Sequence, residues 1–120
     1  MAEKTLEERV QELEDKFAIE ALQARYWDLM DAKEWEEFRT CFADDFLFIN
    51  LDNGDRMEGG DDMVEAIKGI FPDGVVSSHH GHQHSIEITS PTTATAHWAL
   101  RDDLYDSKNG GEFVGRAHYD

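Results

Sequence analysis

The sequence predicts an α+β domain in which helices pack on one face of a curved antiparallel sheet. Three features carry that reading. Apolar residues recur at helical steps through the first third of the chain. They follow strand-like runs in the last half, and clusters of Gly, Pro, Asn and Asp mark each change. A chain of 120 residues without linker, repeat or low-complexity stretch reads as a single domain spanning 1–120.

Leu6, Val10, Leu13 and Phe17 follow one another at steps of four, three and four, an apolar stripe along a helix. Thr5, with Glu8 three residues later, makes a capping box at its start. The stripe continues with a rotated phase through Leu22, Tyr26 and Met30. A helix from Thr5 to Asp31 is therefore expected, with residues 1–15 as a helical N-terminal arm. A short second helix is expected from Glu34 to Phe42, with Trp35, Phe38 and Phe42 inward. Residues 46–51 (FLFINL) then read as a strand, Asp52-Asn53-Gly54-Asp55 as a tight turn and residues 56–59 (RMEG) as the returning strand. Asp61 is the expected cap of a third helix, Asp62 to Phe71, which Pro72-Asp73-Gly74 ends. Three strand-like runs close the chain: Val75 to Thr89, Ala94 to Tyr105 and Phe113 to Tyr119, joined by turn-rich segments.

The charge excludes whole classes of function. With 27 Asp and Glu against 11 Lys and Arg the net charge is −16, which repels phosphate backbones and anionic lipid. Neither nucleic acid nor a membrane surface is an expected partner. The single cysteine, Cys41, allows no disulfide framework and no cysteine-based zinc site. The N-terminus has no apolar signal region, and nothing approaches the run of about 18 apolar residues that spans a bilayer. The expectation is a soluble, cytoplasmic protein.

Four of the six histidines sit within His79-His80-Gly81-His82-Gln83-His84. On a regular strand His80, His82 and His84 would share a face, compatible with a metal site but without a known ligand spacing. Surface or structural roles describe most of such a cluster. One functional histidine among bystanders is the third reading, since imidazole titrates where general acid–base chemistry needs it. A histidine base wants a carboxylate on its other nitrogen. Asp31, ending the long helix where the chain turns, is the best placed to supply it. Tyr26 lies five residues earlier, roughly 140° around a regular helix, and so shares a face with Asp31 only if the helix end unwinds or a pocket wraps around it.

Residues 19–46 (IEALQARYWDLMDAKEWEEFRTCFADDF), 77–89 (SSHHGHQHSIEIT) and 93–106 (TATAHWALRDDLYD) resemble the SnoaL-like branch of the nuclear transport factor 2-like superfamily. The nearer resemblance is to the bile-acid 7-alpha-dehydratases, carried by TLEERV, the Tyr26–Asp31 spacing, Gly81-His82 and the segment around Trp98. Scytalone dehydratases and a haloalkane dehydrochlorinase are more distant. The resemblance implies a cone-shaped α+β barrel of cystatin-like fold and no metal or organic cofactor. It puts the family's helix-end aspartate on Asp31, its strand histidine on His79, with His82 second, and the dehydratase tyrosine on Tyr26. The His–Asp dyad would abstract a proton beside a carbonyl or leaving group, and the tyrosine would serve the oxyanion or the departing hydroxyl. Members continue past the equivalent of Tyr119, so a terminal strand is missing and an edge is left for a partner, which implies a homodimer through the sheet.

The expected reaction is that of a cofactor-independent lyase (a dehydratase) or isomerase on a hydrophobic ring-containing substrate such as a steroid, polyketide or aromatic metabolite. Trp98, His82, His97 and Arg116 are the expected substrate-binding residues. His97 stands where the dehydratases carry a different, basic residue. Arg101, Arg116 and His118 suit either an anionic substrate group or surface ion pairs. The rival is a non-catalytic binding or dimerisation domain of the same fold. One detail resists: His79 has odd parity, whereas Ile86 and Ile88 have even, so a regular strand would turn His79 away from them. A bulge at Gly81 would reset the register.

Overall fold

The capping box forms as the sequence predicts. Thr5 Oγ1 accepts the Glu8 N–H at 3.1 Å, and the Glu8 carboxylate accepts the Thr5 N–H at 3.0 Å. The structure, a computed structural model, describes residues 2–119. It runs α1 (Leu6–Ala32), α2 (Trp35–Arg39), β1 (Leu47–Ile49), β2 (Arg56–Glu58), α3 (Gly60–Ile70), β3 (Val75–Ser90), β4 (Thr93–Asp106) and β5 (Glu112–Tyr119). α1 is continuous and stops at Lys33, which takes a left-handed conformation with φ 58° and returns its N–H to Leu29 and Met30. The strands form an antiparallel sheet in the order β3-β4-β5 and a separate β1-β2 hairpin, so the fold is α+β and the sheet is open among the described strands. No described helix is long and apolar enough to cross a membrane.

Two helices differ from expectation. α2 is shorter than Glu34–Phe42 because the Thr40 hydroxyl donates back to the Glu37 carbonyl at 2.6 Å, in competition with the helical ladder. The following turn closes on three-residue bonds, Cys41 N–H to Phe38 and Phe42 N–H to Arg39. Asp61 does not cap α3. The cap position is Gly59, at φ 87°, and Asp61 instead accepts from the Arg39 guanidinium at 2.6 Å. That guanidinium lies against the start of α3, where a Cβ on Gly60 would meet it at 2.6 Å.

Trp27 and Met30 of α1, Phe38 and Phe42, Met63, Val64 and Phe71, and Trp98 and Leu100 of β4 make the buried core. Side chains alternate across a strand, so Trp98, Leu100, Asp102 and Leu104 share the sheet face that meets the helices. The intervening His97, Ala99, Arg101 and Asp103 face outward. β3 is paired to β4 with register shifts between His82 and Ser85 and between Ile88 and Ser90. The first is a bulge in which Gln83 takes φ 50°, and it restores the parity: His79 before it and Ile86 after it lie on the same inner face. The bulge is not at Gly81. Gly81 makes room for the Trp27 indole, which would stand 2.1 Å from a Cβ there.

Candidate functional site

Asp31 sits in the last turn of α1, where the helix dipole disfavours a carboxylate and no basic side chain compensates. Three hydrogen bonds hold it instead. Its Oδ2 accepts the His79 backbone N–H at 2.9 Å, and its Oδ1 accepts from the Ser77 hydroxyl at 2.7 Å and from His79 Nδ1 at 2.5 Å. Burial alone would raise its pKa. The bonds from the His79 ring, the His79 backbone and Ser77 outweigh that and hold it below the usual carboxylate range.

An ionised carboxylate only accepts, so the proton of the neutral imidazole is on Nδ1 and Nε2 keeps its lone pair. His79 is closed in: its side chain is 3% exposed, and the Phe71 ring meets it edge-on at 5.7 Å between centroids. Its register partner across β3 and β4 is Asp102, whose Oδ2 stands 3.8 Å from Nε2. The imidazole therefore lies between two carboxylates, one bonded and one facing the free nitrogen. A Cβ on Gly115, the residue opposite Asp102 in β5, would meet Asp102 Oδ1 at 2.1 Å, so that glycine leaves the carboxylate its space. Asp102, Ser77 and Tyr119 are the neighbours that reading the sequence did not single out.

Tyr26 is not in contact with the dyad. It is packed against Phe38 and Phe42 at 5.0 and 5.7 Å between centroids, with the Tyr119 hydroxyl near its own. Burial, then the neighbouring Tyr119, pushes its pKa far above the ordinary phenol value. Tyr119 is raised as well, by burial and by the negative charge of Asp102, which links the tyrosine pair to the inner face of the sheet. The Trp27 Nε1–H is buried and has no hydrogen-bond partner among the described residues.

The expected substrate-binding set does not assemble around His79. Trp98 is on the inner face, 8% exposed, stacked on His84 at 5.4 Å. His82, His97 and Arg116 alternate to the outer face. There His82, Arg101, Arg116 and His118 line an open hollow of about 580 Å³ that includes neither His79 nor Asp31, and His97 stacks on His118 at 5.2 Å. Nor do His80, His82 and His84 share a face, because the bulge intervenes: His84 Nε2 bonds Glu20 at 2.8 Å, while His80 bonds Ser78 on the outer face. Among the described residues no three His, Cys, Asp or Glu side chains converge as metal ligands would.

Residues 11–120 match the model of a family described as a SnoaL-like domain. Among solved structures, a candidate scytalone dehydratase from Novosphingobium aromaticivorans is similar with a TM-score of 0.83 at 22% identity, over 92% of this chain and 74% of that one. A protein from Catenulispora acidiphila in complex with S-DNPA gives 0.68 at 20%, over 83% and 73%. The beta subunit of benzoate 1,2-dioxygenase from Burkholderia mallei gives 0.64 at 21%, over 99% and 80%. At these identities the likeness to the solved structures is one of fold.

Proposed function

The chain belongs to the SnoaL-like domain family, and from that premise we propose that it is a cofactor-independent lyase, a dehydratase, acting on a hydrophobic ring-containing small molecule. His79 is the general base, Asp31 its orienting partner and Asp102 the second carboxylate that stabilises the charged ring. One contact carries the reading: the 2.5 Å bond from His79 Nδ1 to Asp31, which fixes the tautomer and leaves Nε2 as the basic atom. In the reaction Nε2 takes a proton from carbon beside a carbonyl. The electron pair moves toward that carbonyl and then expels a hydroxyl from the adjacent carbon, which leaves as water once protonated. The imidazolium formed on the way is flanked by Asp31 and Asp102, so the charged intermediate gains more than the neutral ring. Tyr26, whose burial keeps it protonated at any physiological pH, serves as hydrogen-bond donor to the oxyanion or departing hydroxyl. Dehydration is the first reaction to test because of the resemblance to bile-acid 7-alpha-dehydratases; isomerisation begins with the same proton abstraction.

A second reading, a non-catalytic binding domain, has an observation in its favour. The imidazole is almost fully covered, and a substrate reaches Nε2 only after Phe71 or another cover gives way. Turnover of a panel of dehydratable ring ketones separates the two. Activity that disappears in His79→Ala and falls steeply in Asp31→Asn supports the enzyme. Activity unchanged in both removes the dyad assignment, and a co-purified ligand by native mass spectrometry without any turnover favours the binding domain.

A further inference from the structure

One apolar feature of α1 takes no part in the dyad site. On α1, Leu6, Val10, Leu13 and Phe17 are 73%, 44%, 58% and 70% exposed, a four-residue apolar seam open to solvent. At 100° per residue they fall within roughly 60° of arc, while Ile19 and Met30, which pack on the body, lie roughly 130–150° away. The seam is therefore not a core face that has come loose; it points away from the core. Ala24, exposed and small, continues it one heptad on, while the next d position is Glu20, bonded to His84.

We propose that this seam pairs, in parallel and in register, with the same seam of a second copy of this chain. The spacing is that of a heptad in which Val10 and Phe17 take position a and Leu6 and Leu13 position d. At the Val10 layer, a β-branched residue at a with leucine at d is the combination that favours two parallel strands. The flanks choose the direction. Glu7 and Glu14 occupy e, and Arg9 and Lys16 occupy g. A parallel pair brings Arg9 against Glu14 of the partner subunit, twice by symmetry. An antiparallel pair sets glutamates against glutamates and Arg9 against Lys16. Among the described residues none of these four side chains has an ion-pair partner within its own chain. The outer sheet face offers no comparable charge pattern: Arg101 stands opposite Arg116 there and is ion-paired to Asp103 on its own strand.

Sedimentation equilibrium of the full chain over a range of concentrations tests this, with Leu13→Glu expected to leave circular dichroism unchanged and abolish dimers. Arg9→Glu and Glu14→Arg, each alone, are expected to weaken the dimer roughly two- to tenfold, and the double variant to restore it. In a Cys41→Ser background, Val10→Cys is expected to form a disulfide dimer in air, whereas Glu8→Cys on the outer side is not. A monomer at all concentrations, a dimer indifferent to Leu13→Glu, or a dimer that tightens when only Arg9 is reversed (the antiparallel outcome) would each overturn the proposal.

Discussion

Both faces of the β3-β4-β5 sheet carry histidines and use them differently. On the inner face His79 is buried, bonded to one carboxylate and faced by a second, under an aromatic cover. On the outer face His82, His97 and His118 are set among Arg101 and Arg116, and His97 and His118 stack on each other. His79 and His82 are three residues apart on one strand. What separates them is the pleat, which puts odd positions before the bulge over the helix end and even positions over water. A histidine's chemistry is thus set by what its face meets: a helix-end carboxylate in one case, like charge and solvent in the other.

The largest expected effect would break that comparison outright. His79→Ala should lower turnover by about 10²–10⁴-fold, the usual contribution of a general base, while His82→Ala should change it by less than about twofold. Equal losses in a steady-state assay would mean that the faces do not differ in role. Asp31→Asn should come next, with a large loss of turnover and a changed stability profile. The folded carboxyl titrates below its unfolded value near 3.9, so its stabilisation is present above that pH and is lost as pH falls through the lower folded value. Urea midpoints measured between pH 3 and 6 should therefore fall more steeply toward acid in the parent than in Asp31→Asn.

Packing gives the intermediate effect. Gly81→Ala forces a methyl into the Trp27 ring and should cost about 1–3 kcal/mol, whereas Gly111→Ala, with open space around it, should be close to neutral. Chemical denaturation of the two variants would sharpen the contrast between a filled inner face and a free loop. The smallest effect belongs to the outer face. Arg116→Glu replaces a like-charge cross-strand pair by an opposite one and should stabilise by about 0.2–1 kcal/mol, an increment that shrinks with added salt.

How far the site could be read in advance depended on how local its signals were. The capping box at Thr5 and Glu8, the β1-β2 hairpin and the helix-end position of Asp31 are written in neighbouring residues. Asp102 was not visible in that way. Counting back from the Ser90–Thr93 closure without bulges would have put Leu104 opposite His79. Two register shifts of one residue each bring Asp102 there instead. Neither shift is encoded by a residue type that demands it: Gln83 is no turn former, yet it holds φ 50° next to a His84 anchored on Glu20 and Trp98. The same displacement parted His84 from His80 and His82, while plain strand alternation turns His82, His97 and Arg116 away from the dyad. The α3 cap moved from Asp61 to Gly59 for a comparable reason, because Arg39, distant in sequence, claims the carboxylate.

The sequence by itself pointed to the family, the α+β order of elements, a helix-end aspartate and a cluster of strand histidines from which its partner could come. The order of elements and the helix-end aspartate rest on periodicity, capping and local spacing, which neighbouring residues enforce; the family rests on the resemblance of whole segments. Only the tertiary structure decided which nitrogen of His79 is bonded, which second carboxylate faces the other, and which face each remaining histidine occupies. Those depend on strand register, and register is fixed by bulges whose cost is met through contacts between residues far apart in the chain.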